Sequence, residues 1–267
     1  MMKDKVTAPG LKLFKRQGRK IAALSCYDYE TARLLNAAGT DVLLVGDSLG
    51  MVKLGLASTL PVTMEDMLYH TRIVARGNSR ALLVSDMPYL SYHVSGAEAV
   101  RHAGQLLKAG AEAVKIEGGL EMLPALRALR AAKIPVMGHL GLTPQSVHVL
   151  GGYKVQGRGG AAGRRLLADA RALEKAGVFS IVLEGVPLEV ARRLSRALSV
   201  PTIGIGAGVF CDGQVLVVDD LLGLTPEPRP RFVKAYARLR DTIEQAARAY
   251  GRDVRAGKFP DDKHSYR

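Results

Sequence analysis

The chain has 267 residues, with 38 Lys+Arg against 25 Asp+Glu for a formal net charge of +13, and 48% of it is hydrophobic. This composition excludes disorder as the main state, and the two cysteines, Cys26 and Cys211, offer neither a disulfide framework nor zinc-ligand spacing. No stretch approaches the roughly 18 apolar residues of a membrane span, and no apolar segment follows the charged opening MMKDKVTAPG, so neither a transmembrane helix nor a signal peptide is expected. The basic excess leaves nucleic acid or acidic ligands open as partners.

The stretch up to Lys20 predicts a helix. Beyond it, short apolar runs recur at Ile21–Ser25, Val42–Val45, Leu82–Ser85, Ala113–Ile116, Pro135–Gly138, Ile181–Leu183, Thr202–Ile205 and Val215–Val218. Continuous apolar runs of this length suit strands buried on both faces, as in a parallel sheet. Helical periodicity separates most of them, at Tyr29–Ala38, Met64–Arg76, Ala97–Ala109 and Ala161–Ala176. These segments run into Gly39, Gly77, Gly110 and Gly177, each read as a C-terminal cap because glycine tolerates the left-handed conformation. Eight strands alternating with helices in one chain of this length predict a single (β/α)8 barrel domain over residues 1–267, with the first helix closing its bottom. The connection GAGVFCDGQ between Ile205 and Val215 is too short for a full crossover helix and predicts a single turn. Two connections, Gly46–Thr63 and Leu140–Gly160, are long enough to be lids or binding loops. Arg231–Tyr250 reads as a long amphipathic helix.

The residues that follow the strands are informative. Gly46-Asp47-Ser48 follows the second strand, Asp86 the third, Glu117 the fourth, His139 the fifth and Glu184 the sixth. In a β/α barrel the C-terminal strand ends converge on one face, where active sites are built. Any one acid there serves equally well as a helix cap or turn residue. Five polar groups in succession are harder to assign that way. Clustered carboxylates repel unless a cation or protons intervene, and a loose set of hard oxygen ligands suits Mg²⁺. Lys115, inside an apolar strand, needs an anion: a neighbouring carboxylate or a substrate carboxylate. His139 is a metal ligand, a general acid or simply a hydrogen-bonded residue at a strand end, the last being the simplest reading. The glycine-rich stretches Gly151–Gly163 and Gly204–Gly208 lack a complete nucleotide-binding pattern and read as tight turns.

VGDSLGM at Val45–Met51, TLPVTMEDM at Thr59–Met67, VKIEGG at Val114–Gly119, GHLGLTPQSV at Gly138–Val147, GGYKVQGR at Gly151–Arg158, IGIGAG at Ile203–Gly208 and DGQVLV at Asp212–Val217 occur in order. Together they resemble the ketopantoate hydroxymethyltransferase family, and the resemblance runs from about Val6 to the closing FPDDKHSY. It implies a barrel of the phosphoenolpyruvate/pyruvate type. It implies transfer of a one-carbon unit from 5,10-methylenetetrahydrofolate to 3-methyl-2-oxobutanoate, giving 2-dehydropantoate through an enolate stabilised by Mg²⁺. By the same resemblance Asp47 and Asp86 match Mg²⁺ ligands that also contact substrate. Glu117 matches a third acidic position, acting on the metal directly or through water. Ser48 and Lys115 match residues that hold the keto-acid carboxylate, Glu184 matches the catalytic base, and His139 matches a substrate-site histidine. A cytoplasmic homodecamer that binds a 2-oxo acid and a reduced folate, without nucleic acid or membrane, completes the expectation. Two rivals follow from the residues: a Mg²⁺-dependent C–C lyase acting on a 2-oxo acid without folate, and a nucleic-acid-binding protein. The second is disfavoured because Arg pairs are spread over helices and aromatics make up only 5%, with no Trp.

Overall fold

In the computed structural model, which describes residues 5–267, eight parallel strands close into a barrel in chain order. They are β1 (Ile21–Ser25), β2 (Val42–Val45), β3 (Leu82–Asp86), β4 (Ala113–Glu117), β5 (Val136–Gly141), β6 (Ser180–Glu184), β7 (Thr202–Ile205) and β8 (Gly213–Leu216). Residues 1–4, within the stretch read above as signal-free, lie outside the described residues.

The strands run further than the apolar runs predict. Asp86, Glu117 and Glu184 are the last residues of β3, β4 and β6, and His139 lies inside β5. Backbone pairing explains this: Met87 N–H donates to Lys115 O, Gly118 N–H to His139 O and Leu142 N–H to Glu184 O, at 2.8–3.1 Å. The ladder therefore continues through the polar residues, and hydropathy alone ends each strand too early. Gly141 marks the closest approach. At φ +99°, a Cβ there would stand 2.2 Å from Glu184 O, so only glycine lets β5 reach the end of β6.

Around the barrel stand α1 (Ala8–Arg16), α2 (Tyr29–Ala37), α3 (Leu49–Val52), α4 (Met64–Gly77), α5 (Gly96–Lys108), α6 (Leu123–Ala131), α7 (Val147–Leu150), α8 (Gly160–Ala176) and α9 (Leu188–Ala197). Side chains such as Val114, Ile116, Ile181 and Leu183 are at most 1% exposed. Each such aliphatic contributes about 1.5–3 kcal/mol on burial. Gly39, Gly110 and Gly177 are left-handed at the helix ends, as expected. Gly77 is not. It is the last residue of α4, and a Cβ there would meet Tyr29 O at 2.5 Å, so its role is close helix packing. The long connections are partly ordered, as α3 in one and as a 3₁₀ turn at Pro144–Ser146 followed by α7 in the other. The β7–β8 connection makes turns only.

Helix α1 starts at a Thr7 cap and closes the barrel bottom. Lys15 Nζ reaches Ser195 O, Val200 O and Asp212 Oδ2 at 2.7–3.1 Å, which ties it to the starts of β7 and β8.

Contacts divide the chain into two compact units, Met1–Val217 and Val218–Arg267. The second holds α10 (Val218–Leu221) and α11 (Leu239–Arg255). The helix expected at Arg231–Tyr250 thus begins eight residues later and extends further, to Arg255. Pro226, Pro228 and Pro230 precede it, and Tyr236 N–H and Leu239 N–H are spent on Leu221 O and Leu222 O at 2.8 and 2.9 Å. Amides committed there cannot propagate a helix upstream.

Candidate active site

Strand register assembles the polar cluster. Asp86 pairs with Lys115, Glu117 with His139 and Gly141 with Glu184 across neighbouring strands. Residues two apart share a face, so Lys115 and Glu117 project the same way from β4. Asp47, Asp86, Lys115, Glu117 and His139 are each at most 4% exposed.

Lys115 Nζ lies 3.1 Å from Asp86 Oδ1 and 3.7 Å from Glu117 Oε1. The lysine expected to meet an anion therefore meets a carboxylate first. Burial opposes its charge, but Asp86, Glu117 and Asp47 outweigh that and hold it protonated more firmly than an ordinary lysine. His139 Nδ1 sits 3.1 Å from Glu117 Oε1 and 3.3 Å from Lys115 Nζ. Burial and Lys115 oppose an imidazolium there, yet Glu117 and Glu184 raise its pKa to about 9. At neutral pH Nδ1–H therefore donates to Glu117, and the approach to Lys115 is a like-charge contact rather than a hydrogen bond. His139 Nε2 is 3.3 Å from Glu184 Oε2, an ion-pair contact, and makes no hydrogen bond among the described residues. That edge of the imidazolium is left for another acceptor.

The carboxylates divide into two kinds. Burial works against ionised Glu117, but His139, Lys115 and the Gln145 N–H hold it below the usual carboxylate range. Asp47 is pushed well above that range, by burial first and then by the charges of Asp86 and Glu117. Asp86 is also raised by burial, with Lys115 partly countering. Asp47 N–H donates to Asp86 Oδ2 at 3.1 Å, which sets the two acids side by side. Three buried carboxylates thus face one ammonium and one imidazolium, and the surplus charge falls on Asp47 and Asp86. Hard oxygens in excess of their cations fit a hard divalent ion that keeps waters or substrate oxygens on its other positions. Among the described residues, no group of three or more His, Cys, Asp or Glu side chains is arranged to hold a metal. Glu117 shows why: His139 takes Oε1, and Gln145 N–H donates to Oε2 at 2.9 Å.

Ser48 Oγ lies 2.8 Å from the hydroxyl of buried Tyr27, half-exposed beside the cluster. Glu184 has 16% of its side chain exposed and stands at the rim.

Sequence reasoning missed Gln145 and Tyr92. Gln145 Nε2 donates to Asp47 Oδ2 at 2.8 Å and to Met87 O at 3.0 Å, while its Oε1 accepts from Tyr92 OH at 2.7 Å. Tyr92 OH also accepts from Glu117 N–H at 3.1 Å. This closed ring of hydrogen bonds fixes Asp47 and Glu117 together. Gln145 lies within the GHLGLTPQSV string, which was a usable signal; Tyr92 lies in a turn after β3 with none.

The model of the ketopantoate hydroxymethyltransferase family matches residues 5–262. The chain is 54% identical over 266 residues to the 3-methyl-2-oxobutanoate hydroxymethyltransferase of Moorella thermoacetica (strain ATCC 39073 / JCM 9320), covering 99% of each protein. It is 52% identical over 267 residues to the enzyme of the same name from Geotalea uraniireducens (strain Rf4), covering 100% of each. Among solved structures it resembles phosphonopyruvate hydrolase, with TM-score 0.64 and 15% identity over 99% of this chain and 92% of that one. It also resembles 2,3-dimethylmalate lyase, a PEP mutase/isocitrate lyase superfamily member, with TM-score 0.62 and 18% identity over 97% and 89%. At such identities these two show the fold.

Proposed function

The chain belongs to the ketopantoate hydroxymethyltransferase family, and on that premise we propose how its residues convert 3-methyl-2-oxobutanoate to 2-dehydropantoate with 5,10-methylenetetrahydrofolate as one-carbon donor. The observation that carries the reading is the ladder-paired group Asp86–Lys115 and Glu117–His139, with Glu184 at its rim.

Asp47 and Asp86 would hold Mg²⁺, with Glu117 as a third acidic group acting directly or through water, its oxygens being already engaged by His139 and the Gln145 N–H. When bound, Mg²⁺ supplies Lewis-acid stabilisation of negative charge at the keto oxygen. Lys115 and Ser48 bind and orient the substrate carboxylate; Lys115 carries the charge for this because its pairing with Asp86 keeps it protonated. Glu184 takes the proton from C3 of the keto acid. A positioned base contributes typically about 10²–10⁴ in rate. His139 stands against Glu184 on one side and Glu117 on the other, so it positions the base and keeps a cation near the developing charge. C3 bonds to the donor methylene carbon, both C–N bonds of that carbon break, one water supplies the hydroxyl of 2-dehydropantoate, and the proton taken from C3 and the one released by the water end on the two folate nitrogens of tetrahydrofolate. By family resemblance alone we further propose a cytoplasmic homodecamer with no nucleic-acid or membrane partner; mass by light scattering tests the assembly.

The test separates two halves of the reaction. With Mg²⁺ and no folate, the enzyme in D₂O is expected to exchange the C3 hydrogen of 3-methyl-2-oxobutanoate. Net product is expected only when methylenetetrahydrofolate is added. Absence of exchange overturns the base chemistry, and turnover of the keto acid without folate favours the lyase rival.

A further inference from the structure

Tyr153 takes no part in the chemistry above, yet it joins the two long connections on the active-site face. Its hydroxyl lies 3.9 Å from Met51 Sδ, linking the segment after α7 to α3. The same segment is anchored beside the base, since Gln156 N–H donates to Gly185 O at 2.8 Å, one residue beyond Glu184. The chain enters Tyr153 through Gly151 and Gly152, left-handed at φ 66° and 109°, so the glycine-rich stretch begins as the expected turn, whereas its last residues, from Gly160, belong to α8. What the turn presents is a phenol ring 52% exposed, with Met51 beside it 41% exposed. Among the described residues no aromatic ring or cation stacks on Tyr153. Its hydroxyl is nevertheless held above the ordinary tyrosine range, by partial burial first and then by Glu184, Asp47 and Glu117. The ring thus stands at the rim of the acidic site with its face unoccupied.

The two substrates make different demands. The keto acid is small and anionic and is met at depth by Lys115. The one-carbon donor carries a pterin whose aminopyrimidinone ring is flat and whose second ring is reduced and puckered, together with an anionic glutamyl tail, and its methylene must come within bonding reach of C3. Flat rings gain most from an aromatic face, and a polarisable thioether alongside extends the surface. Resting on the function proposed above, we propose that Tyr153, backed by Met51, is the platform on which the flat aminopyrimidinone ring of the donor's pterin stacks, with exposed Lys154 and Arg158 supplying cations for its glutamyl carboxylates.

The experiment uses the full-length enzyme with Mg²⁺ and compares wild type, Tyr153→Ala and Tyr153→Phe. KM is measured for each substrate, and Kd for tetrahydrofolate by calorimetry. Stacking on an aromatic side chain is commonly worth about tenfold in affinity. Tyr153→Ala is therefore expected to raise the KM of methylenetetrahydrofolate and the Kd of tetrahydrofolate about tenfold or more. The KM of the keto acid is expected to move less than about threefold. Tyr153→Phe, which keeps the ring, is expected to stay within about threefold on all three. Unchanged donor constants in Tyr153→Ala overturn the platform, as does a parallel rise in both KM values. A Tyr153→Phe loss equal to that of alanine assigns the effect to the hydroxyl and also overturns it. Donor-free C3 exchange by the wild type reads the underlying function separately: if it is present while the Tyr153 variants bind the donor normally, the platform alone fails.

Discussion

Replacing Glu117 by Gln tests the electrostatic core of the site. The substitution keeps the shape and removes one buried charge that touches His139 Nδ1 at 3.1 Å and faces Lys115 at 3.7 Å. Breaking a buried pair on one side typically costs about 3–5 kcal/mol. Its pH dependence is the sharper signature. Glu117 and Glu184 raise the His139 pKa to about 9 from its ordinary 6.5. The raised pKa means the folded state binds the proton more tightly, so the stabilisation is fully present below about pH 6.5 and is lost as pH rises through about 9. At about 1.4 kcal/mol per unit, that is on the order of 3 kcal/mol. Asp47, also raised and partly by Glu117, contributes in the same direction. The deficit of Glu117→Gln relative to wild type is therefore expected to be largest near pH 6.5 and to shrink by about 3 kcal/mol toward pH 9. Calorimetric melting of both proteins in EDTA, at equal protomer concentration, reads this at roughly 2–4 °C per kcal/mol. A deficit of the same size at both pH values would refute the claim that Glu117 holds His139 protonated.

Three further outcomes are expected. Glu184→Gln should retain keto-acid and Mg²⁺ binding but lose at least about 10²-fold in donor-free C3 exchange, and exchange within tenfold of wild type removes Glu184 as the base. Asp47→Asn relieves a crowded buried acid, so it should melt no lower than wild type without metal while calorimetry shows a clear loss of Mg²⁺ affinity; unchanged affinity excludes Asp47 as a ligand. Gln145→Leu removes the donor to Asp47 and the acceptor of Tyr92, and should cost about 1–3 kcal/mol in stability and weaken keto-acid binding with the backbone fold intact by circular dichroism; wild-type stability and KM would show that the hydrogen-bond ring is dispensable.

The sequence by itself determined the architecture and singled out most of the polar residues that the structure brings together at the strand ends. Strands buried on both faces must be apolar throughout, so eight such runs spaced by helical segments are visible without coordinates, and the acids that follow them stand out against that background. What hydropathy could not show is that Asp86, Glu117, His139 and Glu184 belong to the strands rather than to the loops, because the ladder depends on backbone pairing with a neighbour distant in sequence. The same limit applies to partners. Lys115 could be read as needing an anion, but only register decides that Asp86 and Glu117 are beside it while Asp47 is left with the surplus charge. Gln145 and Tyr92 carry no charge and follow no periodicity, and their roles arise from being brought to Asp47 and Glu117 across 98 and 25 residues of chain. Composition and local pattern fix what each segment can become; closure of the barrel decides which side chains share one low-dielectric site, and that proximity sets their charge and their chemistry.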